Sequence, residues 1–110
     1  MAFLNRLRQS GPSGRRAVAG STVVAESQET VGLEGNHYFP PDAVEWSRLV
    51  RSSQTSVCPW KGVATYYDVV DGDRRFPAAA WVYENPSEAA AHINGHVAFW
   101  RGVEVTASSD

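Results

Sequence analysis

The sequence predicts a small α+β domain, an antiparallel sheet of five or six short strands with one main helix packed on it. Short runs of β-branched and aromatic residues, separated by turn dipeptides, occur between residues 15 and 83. One stretch near residue 90 repeats its apolar residues at helical spacing. A parallel βαβ architecture is not expected, because a single helix provides too few crossover connections.

The first half of the chain predicts three strands and a short helical turn. Two Val/Ala runs in "RRAVAGSTVVAES" flank Gly20-Ser21, a dipeptide that favours two-residue hairpin turns. "ETVGLEG" then predicts a third short strand that ends at Gly35. Pro40-Pro41 interrupts the extended chain, and Asp42 is placed to cap a helical turn. The polar run "RSSQTS" that follows predicts a loop.

The second half predicts a hairpin, the main helix and a last strand. Asp71-Gly72 between "VATYYDVV" and "DRRFPAAAWVY" is a strong hairpin signal, and Pro77 indicates a bulge or a sheet edge. Asn85 is a candidate helix cap, with Pro86 at the first helical position. The predicted apolar face of this helix consists of Ala89, Ile93, Val97 and Trp100. "GVEVT" predicts the last strand.

Length and composition indicate one globular domain. The chain has 110 residues, of which 43% are hydrophobic and 20% charged. We expect the domain to span residues 15–106, after a disordered leader at residues 1–14 that contains "SGPSG". The formal net charge of −2 argues against a nucleic-acid partner, since nucleic-acid binders usually carry a basic excess.

Two further features bear on localisation. No apolar run approaches the length of a signal peptide or a membrane span, so we expect no membrane partner. Cys58 is the only cysteine, which precludes an intrachain disulfide and is typical of a reducing compartment. The sequence therefore predicts a cytoplasmic protein.

The segment "TSVCPWKG", residues 55–62, contains the only cysteine and the only lysine of the chain. Lys61 could hold an anion or, if buried and deprotonated, act as a base or nucleophile. Trp60 could stack on a planar ligand, and Gly62 would let the backbone pass close to it. The alternative is an architectural turn into a core strand, with Trp60 packed inside and Lys61 in solvent.

Other candidates lie along the predicted strands and helix. Glu34 sits at a strand end, where a carboxylate is either a general base or an ordinary surface group. In the 62–83 hairpin, Tyr67, Trp81 and Tyr83 could share one face and wall a pocket for a flat ligand. His92 and His96 have the i, i+4 spacing of metal ligands, but "HINGH" lacks the glutamate of zinc proteases, so we expect no metal.

The ordered string "VVAES", "GLEG", "HYFPPDAV", "TSVCPWKGVATYYDV" and "AAWVYENPSEAAAHINGHVAFW" resembles a widespread bacterial family, domain of unknown function 427. The resemblance runs from about Arg15 to Val105, and it implies a small, β-rich, soluble bacterial domain without a defined reaction. The family is sometimes labelled nucleotidyltransferase-like, yet no convincing pair of carboxylates for such chemistry is present. The positions that match are Glu34, Tyr38, Pro40, Asp42, Cys58, Pro59, Trp60, Lys61, Gly62, Tyr67, Trp81, Tyr83, Pro86 and Phe99.

Two departures from the family pattern are visible. Such proteins often carry a histidine shortly before the Cys-Pro pair, and "SSQTSV" has none, which weakens any Cys/His chemistry. The position of His96 more often holds an aromatic residue, so His96 is a feature of this chain in particular.

Two functional hypotheses follow. In the first, the chain binds a small organic ligand and is either a binding protein or a cofactor-independent tailoring enzyme. Its catalytic candidates are Lys61, Glu34 and His96. Its ligand-binding candidates are Trp60, Tyr38, Tyr67, Trp81, Tyr83 and Cys58. In the second, the chain is a non-catalytic structural or interaction module. A homodimer formed through a sheet edge is compatible with either.

Overall fold

The computed structural model describes residues 14–108. These residues form nine strands, each antiparallel to its neighbours. The strands are β1 Arg15–Ala19, β2 Thr22–Ser27, β3 Val31–Leu33, β4 Asn36–Tyr38, β5 Leu49–Cys58, β6 Gly62–Asp71, β7 Arg74–Tyr83, β8 Val97–Phe99 and β9 Val103–Ala107. The predicted disordered leader lies outside the described residues except for Gly14.

Three sheets make up the fold. One contains β2, β1 and β9, the second is the β3–β4 hairpin, and the third contains β5, β6, β7 and β8 in that order. The amide of Phe39 donates to the carbonyl of Val97 at 2.8 Å, and the amide of Val97 donates back at 2.9 Å. This bridge fixes the β3–β4 hairpin beside β8.

The predicted α+β class with one main helix is wrong. Residues Glu88–Ile93 form only a short 3₁₀ segment, interrupted by non-helical angles at Ala90. Gly95 has φ +73°, and the chain then enters β8, which pairs with β7. Val97 and Phe99 are favourable strand residues, and a glycine inside a helix costs about 1 kcal/mol relative to alanine. Pairing with β7 therefore outweighs a weak helical preference.

The predicted loop at "RSSQTS" is also wrong, because these residues belong to β5. In the part of the chain that the structure describes, β5 lies at the edge of its sheet and pairs only with β6. A strand with two solvated faces needs no alternation of apolar and polar residues, so its sequence resembles that of a loop. The ladder is irregular between Arg51 and Thr55, where the pairing register shifts.

The predicted hairpins and the last strand are confirmed. β1 and β2 turn at Gly20-Ser21, and β6 and β7 turn directly after Asp71, where Gly72 has φ +60°. The bulge at Pro77 is present as a register shift opposite Asp68, whose carboxylate accepts from the Ala78 amide at 2.8 Å. The Pro41–Ala43 turn also forms, but its N-cap is Pro40, so Asp42 lies inside the turn and the predicted cap at Asp42 is wrong.

The four-stranded sheet separates two hydrophobic clusters. One includes Ala17, Val24 and Val103 of the three-stranded sheet. The other includes Tyr38, Trp81, Tyr83 and Ile93. The face of the four-stranded sheet that carries Trp81 and Tyr83 therefore lies against the β3–β4 hairpin and the Glu88–Ile93 segment. No helix within residues 14–108 has the length and apolar character needed to cross a membrane.

Candidate functional site

The Cys58–Gly62 segment forms the connection between β5 and β6. Cys58 pairs with Gly62 across it, and Gly62 has φ +117°, which glycine tolerates best. Ser87 holds the segment from the other side: its amide donates to the Lys61 carbonyl at 2.9 Å and its hydroxyl to the Trp60 carbonyl at 2.6 Å. A Cβ on Gly62 would lie 3.5 Å from the Asn85 carbonyl oxygen. Gly62 thus approaches the protein's own chain.

Lys61 is buried, with 5% of its surface exposed. Its ammonium forms an ion pair with Glu34, and Trp60 Nε1 donates to the other carboxylate oxygen at 3.1 Å. Lys61 Nζ also lies 5.2 Å from the ring centroid of Trp60 and 5.4 Å from that of Tyr83. The predicted solvent-exposed lysine of the architectural alternative is therefore wrong, as is its packed Trp60, which is 40% exposed.

Glu34 reaches Lys61 from the turn of the β3–β4 hairpin. Leu33 pairs with Asn36, so Glu34 and Gly35 form a two-residue turn, and their φ angles are +54° and +83°. Two positive φ angles are the requirement of a type I′ turn, which prefers Asn, Asp or Gly. A glutamate in this left-handed conformation is uncommon, and the turn directs its carboxylate to the buried ammonium.

The charge states of this pair follow from their surroundings. Burial alone lowers the pKa of Lys61, but the hydrogen bond to Glu34 and the neighbouring Tyr83, Tyr38 and Cys58 raise it above 10.5. Hydrogen bonds from Lys61 and Trp60 lower the pKa of Glu34 below 4.5. At neutral pH Lys61 is an ammonium and Glu34 a carboxylate. This favours Lys61 as a fixed charge over a neutral nucleophile or base.

A cavity of about 210 Å³ opens beside Lys61. Its lining residues are Asn36, Tyr38, Lys61, Tyr66, Trp81, Tyr83 and Trp100. The Trp81 ring is central: its centroid lies 6.2 Å from that of Tyr38, 6.4 Å from that of Tyr66 and 5.2 Å from that of Trp100. The result is an aromatic wall with one cationic group.

The hydroxyl groups of the cavity differ in their partners. Tyr38 Oη accepts from Trp81 Nε1 at 3.2 Å, and Tyr66 Oη is 3.0 Å from Ser56 Oγ. Tyr83 is 6% exposed, and no group of residues 14–108 hydrogen-bonds its hydroxyl. Burial raises the pKa of both Tyr38 and Tyr83, so both keep their protons at neutral pH. Each is therefore a hydrogen-bond donor at the cavity.

Cys58 lies next to this group without lining the cavity. Its side chain is partly buried and packs against the cluster that contains Tyr38 and Tyr83. Burial raises the pKa of the thiol, but hydrogen bonds from the Trp60 and Lys61 amides and the charge of Lys61 outweigh it, and the pKa falls below 9.0. The pKa of the thiol therefore depends on Lys61 and Glu34, the same charged groups that stand beside the cavity.

Two predicted site residues lie elsewhere. Tyr67 is on the opposite face of β6, where its hydroxyl donates to Glu84 at 2.6 Å and accepts from Arg51 at 3.2 Å. His96 is outside the cavity lining, and its Nδ1 is 3.1 Å from the Asn94 carbonyl oxygen. Within residues 14–108, no group of three or more His, Cys, Asp or Glu side chains could hold a metal ion.

Sequence reasoning missed three lining residues: Asn36, Tyr66 and Trp100. Tyr66 pairs directly with Trp81 across β6 and β7, whereas Tyr67 pairs with Ala80. The pairs change from Val69–Phe76 to Tyr67–Ala80, so the bulge shifts β7 along β6 by two residues and leaves each residue on its face. Trp81 therefore shares a face with Tyr66 in either register, and the prediction that Tyr67 lies on that face is wrong. Trp100 was assigned to a helix face, and only its position after β8 brings it to the cavity.

A larger depression of about 510 Å³ lies between β2 and residues 42–45. Its lining contains aliphatic side chains and the carboxylates of Glu26, Asp42 and Glu45, with no aromatic or cationic residue. It has no buried polar group directed at a ligand, so the smaller cavity beside Lys61 is the better candidate site.

A family model described as a domain of unknown function (DUF427) matches residues 10–109. The chain belongs to the DUF427 family. This confirms the family resemblance of the sequence motifs. No curated protein matches this DUF427 chain. Glu34, the Cys58–Gly62 segment and every residue that lines the smaller cavity lie inside the matched part of the DUF427 chain.

Proposed function

We propose that this DUF427 protein binds a small organic molecule in the cavity beside Lys61. One observation carries the proposal: a buried, protonated lysine stands at the wall of an open aromatic cavity. A buried ammonium is costly to desolvate, and among residues 14–108 Glu34 is the one carboxylate that pairs with Lys61. The side of Lys61 toward the cavity is available to a ligand.

The shape and chemistry of the cavity support this function. Ligand sites are concave and mainly apolar, with a few convergent polar groups that fix orientation. Trp81, Tyr66 and Trp100 supply the apolar wall, and Lys61 and Tyr83 supply the polar groups. A cofactor-independent reaction is part of the proposal: the ammonium and the tyrosine hydroxyls would stabilise negative charge that develops on a ligand oxygen.

The compartment belongs to the same proposal. We propose a cytoplasmic location because a single free cysteine suits a reducing compartment, and a bacterial source because the sequence motifs resemble a widespread bacterial family. The competing hypothesis is an architectural role in which the Glu34–Lys61 pair only fastens the β3–β4 hairpin to the four-stranded sheet.

A fragment screen by saturation-transfer NMR on the full chain tests the function. We expect at least one fragment to bind the wild-type protein and to lose its signal with Lys61→Met. Arg51→Met is the matched control, since Arg51 is an ion-paired cation on the opposite side of the sheet. Circular dichroism verifies that both variants are folded. If no fragment binds, or if Lys61→Met binds the same fragments equally well, the architectural role is correct.

A further inference from the structure

The geometry points to a specific ligand class, on the premise that the proposed function is correct. We propose that the cavity selects a single-ring aromatic carboxylate, with its ring against Trp81, Tyr66 and Trp100 and its carboxylate toward Lys61, Tyr38 and Tyr83.

Where Lys61, Tyr38 and Tyr83 line the cavity, hydrogen-bond donors outnumber hydrogen-bond acceptors. Glu34 engages one proton of the Lys61 ammonium, which leaves further protons for a ligand. The oxygen of Tyr38 already accepts from Trp81, so its hydroxyl proton is directed elsewhere. Tyr83 is more than nine-tenths buried and its hydroxyl is unpaired within residues 14–108. A ligand group that only accepts hydrogen bonds, such as a carboxylate, complements this set.

The wall of the cavity favours a planar ring. The ring centroids of Tyr66 and Trp100 are 6.2 Å apart and their planes meet at 30°. The Trp81 ring contacts both. Aromatic pairs gain about 0.5–1.5 kcal/mol beyond the burial of their area when they stack with an offset or meet edge to face. A saturated ring of similar size buries area but lacks this additional attraction.

The volume favours a small ligand. The cavity of about 210 Å³ is smaller than the roughly 300–1,000 Å³ that drug-sized ligands occupy. A nucleotide would extend outside the walls, whereas one ring with a carboxylate fits within this volume.

The distribution of charge decides between anionic and cationic ligands. Lys61 is buried, while 47% of the Glu34 side chain is exposed. Water screens the exposed carboxylate more strongly than the buried ammonium, so an anion in the cavity experiences mainly Lys61. Hydrogen bonds between charged groups are roughly twice as strong as neutral ones. A ring that carries an alkylammonium group would instead place two cations together.

Titration of the full chain with three probes, followed by tryptophan fluorescence and NMR shifts, tests the class. The probes are benzoate, cyclohexanecarboxylate and benzamide, which separate the contributions of ring and charge. We expect benzoate to bind about tenfold more tightly than either of the other two. Tyr83→Phe should weaken benzoate binding severalfold, and Lys61→Met about tenfold or more. Tyr67→Phe is the matched control and should leave the affinity unchanged.

The outcomes separate this inference from the proposed function. Equal binding of benzoate and benzamide would overturn the carboxylate, and equal binding of cyclohexanecarboxylate would overturn the aromatic ring. If benzoate does not bind while the fragment screen finds other Lys61-dependent ligands, the class is wrong and the function stands. If neither benzoate nor any fragment binds, the ligand class and the proposed function are both wrong. Tyr83→Phe retains the hydrophobic body of the side chain, so it tests the cavity even if Lys61→Met does not fold.

Discussion

Glu34 and Lys61, 27 positions apart in the chain, form an ion pair that joins the β3–β4 turn to the β5–β6 connection. The two partners are unequally buried: 7% of the lysine side chain is exposed, against 47% of the glutamate side chain. The cost of losing the pair therefore depends on which partner is removed, because only the buried charge lacks water.

Glu34→Gln should lower the stability of the fold more than Lys61→Met. The first change leaves a buried ammonium without its counter-ion, whereas the second leaves a carboxylate that water can solvate. We expect Lys61→Met to change the free energy of unfolding by about 1 kcal/mol or less, since a hydrophobic residue of similar volume fills the site. Urea denaturation at pH 7, followed by tryptophan fluorescence, measures both. The reverse order of stabilities would show that Lys61 is not buried in solution.

Acid should weaken the fold partly through Glu34. Hydrogen bonds from Lys61 and Trp60 lower its pKa in the folded state below the ordinary 4.5. Its contribution is therefore complete above pH 4.5 and is lost as the pH falls through the lower folded pKa. Urea midpoints between pH 7 and pH 3 should fall less steeply for Glu34→Gln than for the wild-type chain. Glu29→Gln, at an exposed carboxylate, is the control and should follow the wild-type curve.

Tyr67→Phe and Tyr83→Phe should have opposite effects on stability and ligand binding. Both rings are buried, at 9% and 6% exposure, but within residues 14–108 only the Tyr67 hydroxyl is paired, with Glu84 and Arg51. Removing it should cost about 1–2 kcal/mol, because hydrogen bonds to charged groups contribute most. Tyr83→Phe should change the free energy of unfolding by less than about 0.5 kcal/mol. Thermal and urea unfolding measure both; a large loss for Tyr83→Phe would mean that its hydroxyl has a structural partner.

Cys58 should be alkylated by iodoacetamide with a pH midpoint below that of an ordinary thiol. Burial raises the pKa of the thiol, but the amides of Trp60 and Lys61 and the Lys61 ammonium lower it below 9.0. Lys61→Met should move the midpoint upward because it removes the ammonium but keeps both amides. Mass spectrometry gives the rate at a single site, since the chain has one cysteine. A midpoint that Lys61→Met does not move would place the ammonium away from the thiol.

The hairpins could be predicted from sequence because their turns are local. Gly20 and Gly72 adopt the positive φ angles that their two-residue turns need, and the flanking residues favour strands. The prediction of a helix was wrong because strand pairing depends on residues that are distant in sequence. The spacing of Ile93, Val97 and Trp100 suits a helix, but β7 offers Val97 a strand partner that is distant in sequence.

Some features of the candidate site could be predicted from the sequence, and others depend on the tertiary structure. Residue chemistry alone singled out Lys61, Trp60 and Glu34, since a lone lysine between tryptophan and glycine and a carboxylate at a strand end are local features. Alternation along β6 and β7 places Tyr66, and not Tyr67, on the face of Trp81, whereas the register shift at Asp68 decides that Tyr66 lies directly opposite Trp81.

The sequence by itself determined the family, the antiparallel hairpins and the residue types available for binding, because turn chemistry and side-chain chemistry act over a few neighbouring residues. Only the tertiary structure decided that Lys61 is buried, that Glu34 pairs with it and that no residue of 14–108 hydrogen-bonds the Tyr83 hydroxyl at the cavity. These properties depend on contacts between segments far apart in the chain. Such contacts follow from the packing of the whole domain, which balances desolvation against pairing.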